Sequence, residues 1–350
     1  MKVSVVIPTY NNECTIAATV ESALAQRFDT GFEVIVVNDG STDDTPAVLK
    51  QFGDRIHLIE QENRGASAAR NAGIAAAAGE YIAFLDGDDT WTEDKLEKSV
   101  KVLDQNSACV AAYSNVIEID GAGRELSLYV TPECEHAPTL DEMLERVWPL
   151  IPSAIVIRRE TLIATGGFSE DFGAGAWGGE DVLAFLLVRE RGEIIFVPEK
   201  LVSYRTTEFA QRFTKRTRPM DTDRKSPGAL ADPERYFRGN SVWARLMLDR
   251  YGARGRKLAD VAIDTTAREL AMLGMMAMHE GDRGYARRCY RASIRYRPLW
   301  LKTYFRLGWA MLPSKVSDRL RPLLAPGIQR SLSGPPFSKL AEWPAASRDS

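Results

Sequence analysis

Three carboxylates follow one short apolar run of the chain, and together they could hold a cation. Residues 81–85 read Tyr-Ile-Ala-Phe-Leu, and residues 86–89 read Asp-Gly-Asp-Asp. Carboxylates that crowd at the end of a buried strand repel one another and lose hydration, so a divalent cation or a hydrogen-bonding ligand stabilises them. Asp and Gly also dominate ordinary turns, so this segment alone does not distinguish a site from a turn.

The elements around this cluster predict a parallel sheet. The first 110 residues alternate short apolar runs with helical patterns, which is typical of βαβ units. The predicted strands are Val3 to Ile7, Glu33 to Val37, His57 to Ile59 and Tyr81 to Leu85. The predicted helices between them are Ile16 to Gln26, Thr45 to Gln51 and Ala66 to Ala78.

Polar clusters follow three of these strands. Residues 8–12 read Pro-Thr-Tyr-Asn-Asn and residues 38–43 read Asn-Asp-Gly-Ser-Thr-Asp, in addition to the acidic cluster at 86–89. Each cluster alone could simply cap the helix that follows it. Because ligands of a parallel sheet bind beyond the carboxyl ends of its strands, we favour one shared polar site at this edge.

The motifs that are missing narrow the class of ligand. Strand one is followed by Pro-Thr-Tyr-Asn, with no Gly-x-Gly-x-x-Gly motif, and the sequence has no Gly-x-x-x-x-Gly-Lys-Ser/Thr loop. Classical nicotinamide chemistry and P-loop ATP chemistry are therefore disfavoured. What remains is a nucleotide that is held by side chains and a metal ion.

Side chains at the predicted strand ends suit such a ligand. Asp39 can accept hydrogen bonds from a base or a ribose, and Tyr10 can stack beside the base. Arg64 or Arg70 can reach a base edge or a phosphate. The Asp-x-Asp pair at residues 86–88 can hold Mg²⁺ or Mn²⁺, which keeps coordination positions open for the oxygens of a diphosphate.

The order and approximate spacing of these motifs resemble those of the inverting family 2 glycosyltransferases over about residues 1–205. The segments that carry the resemblance are Pro8-Thr9-Tyr10-Asn11, Asn38 to Asp43, Asn63-Arg64-Gly65, Ala69-Arg70-Asn71, Phe84 to Asp89, Gly166-Gly167-Phe168 and Glu180-Asp181. The resemblance implies an α/β fold with a GT-A domain, which is a Rossmann-like nucleotide-binding domain. It also implies a nucleotide-sugar donor, expected to be a UDP-sugar, and a divalent metal, Mn²⁺ or Mg²⁺, bound through the Asp-x-Asp pair.

Matching these motifs residue by residue assigns roles in the site. The resemblance implies that Asp181 is the general base, that Asp88 binds the metal and that Asp86 contacts ribose or sugar. An inverting transfer needs such a base to remove the acceptor proton on the face opposite the departing nucleoside diphosphate. The residues expected in the nucleotide-sugar site are Pro8, Thr9, Tyr10, Asn11, Asp39, Arg64, Arg70, Asp86, Gly87 and Asp88.

Two further residues are expected to orient the donor or the acceptor. Glu180 directly precedes the expected base, and Trp177 lies four residues before Asp181 in a Gly-rich loop. Exposed Trp commonly packs against sugar rings, but core packing is an equally good interpretation of this Trp. The acidic pair at 180–181 could also serve only to cap a helix N-terminus.

One departure from the family pattern concerns the diphosphate. Many relatives carry a His shortly after the segment equivalent to residues 204–205, whereas Thr-Thr-Glu follows here. We therefore expect Arg205, or a basic residue of the stretch 211–218, to contact the diphosphate instead. That stretch could also close over the donor as a lid.

The C-terminal part of the sequence predicts a helical region with a basic surface. After the GT-A domain at 1–205 we expect a flexible linker or lid at 206–240, a helical region at 241–325 and a loose terminus at 326–350. Residues 283–330 contain twelve Lys or Arg and one acid, with aromatic residues between them. This pattern suits either peripheral contact with a membrane through 283–330 or a packed helical subdomain with a solvated basic face.

Composition excludes the extreme classes of protein. Apolar residues make up 45% of the chain and charged residues 27%, which is ordinary for a globular protein and argues against both disorder and a membrane-embedded class. The four cysteines show no zinc-ligand spacing, and no uninterrupted apolar run of about 18 residues is present. We expect a cytoplasmic protein and no nucleic-acid partner, with peripheral contact at the inner face of the membrane as one of the two interpretations of residues 283–330.

The sequence thus predicts a metal-dependent, hexosyltransferase-like enzyme. It would transfer sugar from a nucleotide-sugar to a hydroxyl of a sugar, lipid-linked or protein acceptor, in the assembly of cell-surface or other polysaccharides or glycoconjugates. Two alternatives stay open. A nucleotidyltransferase uses a similar sheet but usually needs a Gly-rich phosphate loop after strand one, and an inactive nucleotide-sugar-binding scaffold would act through the helical region.

Overall fold

The computed structural model describes residues 1–130, 132–173, 179–206, 238–279 and 282–320. These residues fall into two compact units. One comprises the described part of Met1–Arg205 together with Leu246–Leu258, and the other the described parts of Thr206–Arg245 and Ala259–Ser350. Most of the predicted linker and all of the predicted loose terminus lie outside the described residues.

The first four strands form the predicted parallel half of the sheet. They are β1 (Val3–Thr9), β2 (Phe32–Asn38), β3 (His57–Glu60) and β4 (Tyr81–Phe84). The helices between them are α1 (Ile16–Leu24), α2 (Thr45–Lys50) and α3 (Ala66–Ala76). All of these strands pair in parallel, in the order β3-β2-β1-β4. Every residue of β1 is buried, because helices cover both faces of such a sheet, and this explains its continuous apolar run.

The second half of this unit makes the sheet mixed. Its strands are β5 (Thr90–Trp91), β6 (Cys109–Ile119), β7 (Glu125–Leu128), β8 (Ile155–Arg158) and β9 (Glu193–Arg205). Its helices are α4 (Lys95–Gln105), α5 (Leu140–Glu145), α6 (Arg159–Thr165) and α7 (Glu180–Arg189). Strand β8 lies between β4 and β6 and runs antiparallel to both, whereas β9 runs parallel to β6.

The C-terminal region is helical, as predicted. The helices described there are Arg238–Tyr251, Arg256–His279, Arg283–Tyr296, Leu301–Met311 and Ser314–Leu320. Leu270, Cys289 and Tyr290 belong to the buried apolar cluster of the second unit. In the described part of the chain, no helix has both the length and the apolar character that a membrane crossing requires.

A buried lysine supports the part of the sheet next to the acidic cluster. Lys95, the first residue of α4, is fully buried, and its Nζ donates to the carbonyl oxygen of Ala154 at 2.6 Å. Its other acceptors are the hydroxyls of Ser114 at 3.2 Å and Ser99 at 3.3 Å. Burial lowers the pKa of Lys95 from 10.5 to about 7, because no carboxylate compensates the cost of the charge.

This burial predicts a defined dependence of stability on pH. Between about pH 7 and 10.5, Lys95 is mostly protonated in the unfolded chain and mostly neutral in the folded chain. The contribution of Lys95 to the free energy of unfolding therefore increases with pH over this range. The slope approaches about 1.4 kcal/mol per pH unit for one such group. Replacing Lys95→Met should remove this slope, which can be measured by urea unfolding at pH 7, 8 and 9.

Lys98→Met is the matched control, since Lys98 lies on the same helix, is partly exposed and pairs with Asp94. Its unfolding free energy should follow the wild-type pH dependence more closely than that of Lys95→Met. If Lys95→Met keeps the full wild-type slope, then Lys95 does not carry a lowered pKa in the folded protein.

Candidate active site

The loops that follow β1 and β2 are joined by hydrogen bonds at one edge of the sheet. Asn11 has a left-handed backbone with φ of 53°, and its amide donates to the Ser41 hydroxyl at 3.0 Å. The Asn11 side-chain oxygen accepts from the Thr42 amide at 2.8 Å. The Asp39 amide donates to the Thr9 carbonyl at 2.9 Å. The polar clusters predicted after β1 and β2 therefore lie together and are joined by hydrogen bonds, as expected for neighbouring parallel strands.

Asp39 uses its carboxylate to hold the loop that leads into α3. Its Oδ1 accepts from Gln61 Nε2 at 2.7 Å and from the Arg64 amide at 2.9 Å. Its Oδ2 accepts from the Gly65 amide at 2.8 Å. A carboxylate oxygen has two acceptor positions, so Oδ2 keeps one for a base or ribose. The sequence alone did not reveal this structural role of Asp39.

Four other predicted residues lie at the same edge in different surroundings. Tyr10 is exposed and available to a ligand, whereas Thr9 is buried and donates to Asn12 Oδ1 at 3.0 Å. A Cβ at Gly87 would lie 2.9 Å from Thr9 Oγ1, so the loop after β4 packs directly on the end of β1. Pro8, the penultimate residue of β1, is also buried. This close packing explains why glycine occupies position 87.

Arg64 points to a partner that the sequence did not suggest. Its guanidinium forms an ion pair with Glu170 Oε2 at 2.7 Å, and both side chains are largely exposed. Glu170 Oε1 also accepts from Asn71 Nδ2 at 3.2 Å. The expected contact of the Arg64 side chain with a base edge or phosphate stays a prediction, and it would require this exposed pair to open.

Arg70 lies at the centre of the acidic residues of the site. The side chain is buried, and its guanidinium contacts Asp86 Oδ1 at 2.8 Å and Glu180 Oε1 at 3.4 Å. It also lies over the ring of Phe168, 5.2 Å from the ring centroid. Burial lowers the pKa of Arg70, but Asp86 and Glu180 outweigh burial and raise it above its ordinary value. Arg70 therefore joins the end of β4 to the start of α7.

The acidic residues at the end of β4 have different partners. Asp89 is buried, and its Oδ2 accepts from the Ser153 hydroxyl at 2.5 Å while its Oδ1 accepts from the Arg205 amide at 2.8 Å. The same Ser153 hydroxyl accepts from the Asp86 amide at 3.0 Å. Asp89 thus holds the end of β4 to Ser153 and to the end of β9.

Asp88 differs because no hydrogen bond or ion pair joins its carboxylate to another described residue; its own backbone amide donates to it. The pKa of Asp88 is raised to about 6, mainly by burial and also by the charge of Asp86, while Arg205 acts to lower it. An unpartnered, desolvated carboxylate is the group that a cation would stabilise most.

The residues present fit a divalent metal only in an open coordination shell. Among the described residues no group of three metal-ligating side chains occurs. Mg²⁺ and Mn²⁺ bind hard oxygen ligands and can be held by one or two carboxylates together with phosphate oxygens. Asp88, with Asp86 two residues away, meets this requirement if a diphosphate supplies the remaining ligands.

Asp181 lies in the first turn of α7, directly after Glu180. Its Oδ1 accepts from the Val182 amide at 2.8 Å. The pKa of Asp181 is raised to about 7, mainly by burial and also by the charge of Glu180, while Arg70 opposes both effects. A carboxylate with a pKa near neutrality is suited to proton abstraction. Trp177, which was expected to orient donor or acceptor, lies outside the described residues.

Two tyrosines that the sequence did not single out lie near both groups of carboxylates. The rings of Tyr129 and Tyr204 meet edge to face with centroids 5.5 Å apart. Burial raises the pKa of Tyr129, and the charge of Asp181 raises it further. Burial also raises the pKa of Tyr204, and the charges of Asp88 and Asp89 add to this effect. The sequence analysis missed this pair, because it predicted no strand at 125–128, directly before Tyr129.

Arg205 supports the site through backbone carbonyls. Its Nε donates to the Asp88 carbonyl at 3.1 Å, and its Nη1 donates to the carbonyls of Asp120 and Gly121, each at 3.1 Å. These contacts use three of the five guanidinium donors, and the expected contact of Arg205 with the diphosphate stays a prediction. The stretch 211–218 lies outside the described residues.

Comparison with known sequences decides the family. A sequence profile described as Glycosyl transferase family 2 matches residues 4–164. GlyG, a glycosyltransferase of Streptococcus pneumoniae, is 31% identical over 215 residues, which cover 58% of this chain and 70% of GlyG. This chain belongs to glycosyl transferase family 2. The resemblance predicted from the motifs is therefore confirmed.

Other family 2 relatives are matched over a smaller share of their length. The succinoglycan biosynthesis protein ExoO of Rhizobium meliloti is 42% identical over 141 residues, which cover 39% of this chain and 40% of ExoO. An uncharacterized glycosyltransferase of Nostoc is 37% identical over 174 residues, which cover 46% of this chain and 52% of that protein. The chain thus spans about half the length of these two relatives.

Solved structures identify the fold. The crystal structure of residues 1–349 of S. aureus TarS in complex with UDP-GlcNAc matches with a TM-score of 0.56 and 20% identity. The match covers 95% of this chain and 90% of the TarS chain. The UDP complex of the same TarS fragment gives a TM-score of 0.54 at 21% identity. This family 2 chain therefore has the predicted GT-A fold with a mostly helical C-terminal region.

The central position of Arg70 generates a prediction about stability. Arg70→Met leaves Asp86 and Glu180 without their buried partner, and breaking a buried ion pair typically costs about 3 kcal/mol or more. We expect a loss of about 3 kcal/mol, since both carboxylates keep some contact with water. Urea unfolding at pH 7 measures this loss.

Arg64→Met is the matched control, because Arg64 also pairs with a carboxylate but does so at the surface. Exposed pairs contribute about 1 kcal/mol or less. Equal losses for the two variants would show that the buried network does not hold the ends of β4 and α7 together.

Proposed function

We propose that this chain is a metal-dependent, inverting glycosyltransferase that uses a nucleotide-sugar donor. The observation that carries the proposal is the ion network of Arg70, which contacts both Asp86 at the end of β4 and Glu180 at the start of α7. This network supports a single site in which the expected donor-binding carboxylates lie near the expected base.

The donor would bind across the carboxyl ends of β1, β2 and β4. Tyr10 is exposed for contact with the base, and Asp39 keeps an acceptor position for the nucleoside. Asp88 would hold Mn²⁺ or Mg²⁺, with Asp86 beside it. When bound, this metal would neutralise negative charge on the departing diphosphate.

Asp181 would remove the proton of the acceptor hydroxyl as that oxygen attacks the sugar. Its pKa of about 7 leaves a substantial fraction ionised at neutral pH and still makes it a competent base. Glu180, held by Arg70, keeps negative charge next to Asp181 and so sustains this pKa. Attack opposite the leaving group gives inversion at the sugar carbon.

The relatives support a class of donor and a class of process. TarS was crystallised with UDP-GlcNAc and ExoO is named for succinoglycan biosynthesis. We extend these facts to a UDP-sugar donor and to the assembly of polysaccharides or other glycoconjugates, with a sugar, lipid-linked or protein hydroxyl as acceptor. A cytoplasmic location, where nucleotide-sugars are made, is part of the same proposal.

Asp181→Asn separates an enzyme from an inactive binding protein. The variant keeps the size of the side chain but cannot accept a proton, so we expect transfer to fall by about a hundredfold or more. Donor binding, measured by calorimetry with a UDP-sugar and Mn²⁺, should stay within about threefold of wild type. Transfer at the wild-type rate would show that Asp181 is not the base.

Glu180→Gln tests the electrostatic part of the same assignment. A base must be deprotonated to act, so the wild-type kcat/KM should increase with pH through an apparent pKa near 7. Removing the Glu180 charge lowers the pKa of Asp181, and the acidic limb of the profile should therefore move to lower pH. An unchanged limb would contradict the proposed coupling.

Asp88→Asn tests metal binding without relying on turnover. A ligand that binds the native state raises its thermal stability, so UDP with Mn²⁺ should raise the Tm of the wild type more than UDP alone. The Mn²⁺-dependent part of this shift should disappear in Asp88→Asn. Asp171→Asn, at an exposed acidic residue outside the cluster, is the control and should keep the shift. A full Mn²⁺-dependent shift in Asp88→Asn would contradict the assignment.

A further inference from the structure

The helix Leu301–Met311 has apolar side chains on two opposite faces. Thr303 and Ala310 are buried, and Leu307 packs against the apolar cluster of the second unit. A helix that is apolar on all sides is normally buried on all sides. The helix Leu301–Met311 is buried on only one of its two apolar faces.

The outward face of the helix carries large apolar side chains. Leu301 is 78% exposed, Phe305 48% and Met311 56%. Tyr304 is also exposed, and Leu299, two residues before the helix, is 87% exposed. Tyr304, Phe305 and Met311 follow Leu301 by three, four and ten residues, so these four side chains lie along one side of the helix. We call Leu299, Leu301, Tyr304, Phe305 and Met311 the apolar stripe.

Exposed cations lie on the same pair of packed helices as the apolar stripe. The neighbouring helix Arg283–Tyr296 exposes Arg288, Arg291 and Arg295, which are three and four residues apart and so share one helix face. Lys302, next to Leu301, is exposed as well. In the sequence from 283 to 330 there are twelve Lys or Arg and one acid, so little negative charge opposes them.

We propose that this pair of helices binds the surface of an anionic lipid bilayer through the apolar stripe and its flanking cations. A bilayer interface takes up large apolar and aromatic side chains at the boundary between headgroups and acyl chains, while anionic headgroups attract Lys and Arg. The excess of positive charge selects an anionic surface over a neutral one. This inference concerns the second unit and does not depend on the chemistry of transfer.

Vesicle co-sedimentation of the full chain tests the proposal. The wild type should sediment with vesicles of phosphatidylcholine that contain a minority of phosphatidylglycerol, and much less with pure phosphatidylcholine. The binding should weaken as salt increases, because counterions screen the cations. Equal sedimentation with both kinds of vesicle, or none with either, would overturn the proposal.

Two sets of substitutions separate the apolar and the charged contributions. Leu301→Glu with Phe305→Glu should reduce partitioning to the anionic vesicles by about tenfold or more, because both replace inserted apolar area with negative charge. Arg291→Gln with Lys302→Gln should reduce partitioning and its dependence on salt. Wild-type partitioning in the first double variant would overturn the assignment of the stripe.

Val261→Glu is the control for the glutamate substitutions. Val261 is an exposed apolar residue, 40% accessible, on the helix Arg256–His279 of the same unit. It should leave partitioning unchanged, and circular dichroism should show all variants folded. If the wild type is instead a dimer that ignores vesicles and Leu301→Glu with Phe305→Glu makes it a monomer, then a second copy covers the stripe and the bilayer proposal fails.

Discussion

The site depends on one buried guanidinium surrounded by carboxylates. Arg70 is on α3, yet its partners come from the end of β4 and from the start of α7, which are far apart in the sequence. A buried charge without a partner is costly, so each of these elements must stay in place for the others to be stable. The rest of the acidic cluster is organised around this constraint.

The carboxylates of the site differ in the groups that compensate their negative charge. Asp86 shares the Arg70 guanidinium, and Asp89 receives hydrogen bonds from Ser153 and from the Arg205 amide. Among the described residues no cation contacts Asp88 or Asp181 directly, and their pKa values rise to about 6 and about 7. Burial raises the pKa of Asp89 as well, despite its hydrogen bonds. Two of the three carboxylates of the site with raised pKa values are those that the mechanism would use, one toward a metal and one toward a proton.

Local sequence patterns predicted the parallel half of the sheet and the polar strand ends, because both follow from short-range periodicity and from the geometry of βαβ units. The motifs also predicted the family. The role of Arg70 as a link between carboxylates could not be read in this way, since it depends on α7 returning to the edge of β4. The same holds for Asp39, whose carboxylate holds the 61–65 loop, and for Tyr129, which directly follows β7, a strand with no clear sequence pattern.

The hydrogen bonds of Asp89 have a consequence for synthesis of the protein. Its two partners lie 64 and 116 residues further along the chain. A nascent chain that has formed β1 to β4 therefore carries the acidic segment 86–89 without these donors until Ser153 and then Arg205 have emerged. The parallel half of the sheet can form early, but the hydrogen bonds of Asp89 are complete only when the last strand of the sheet is in place.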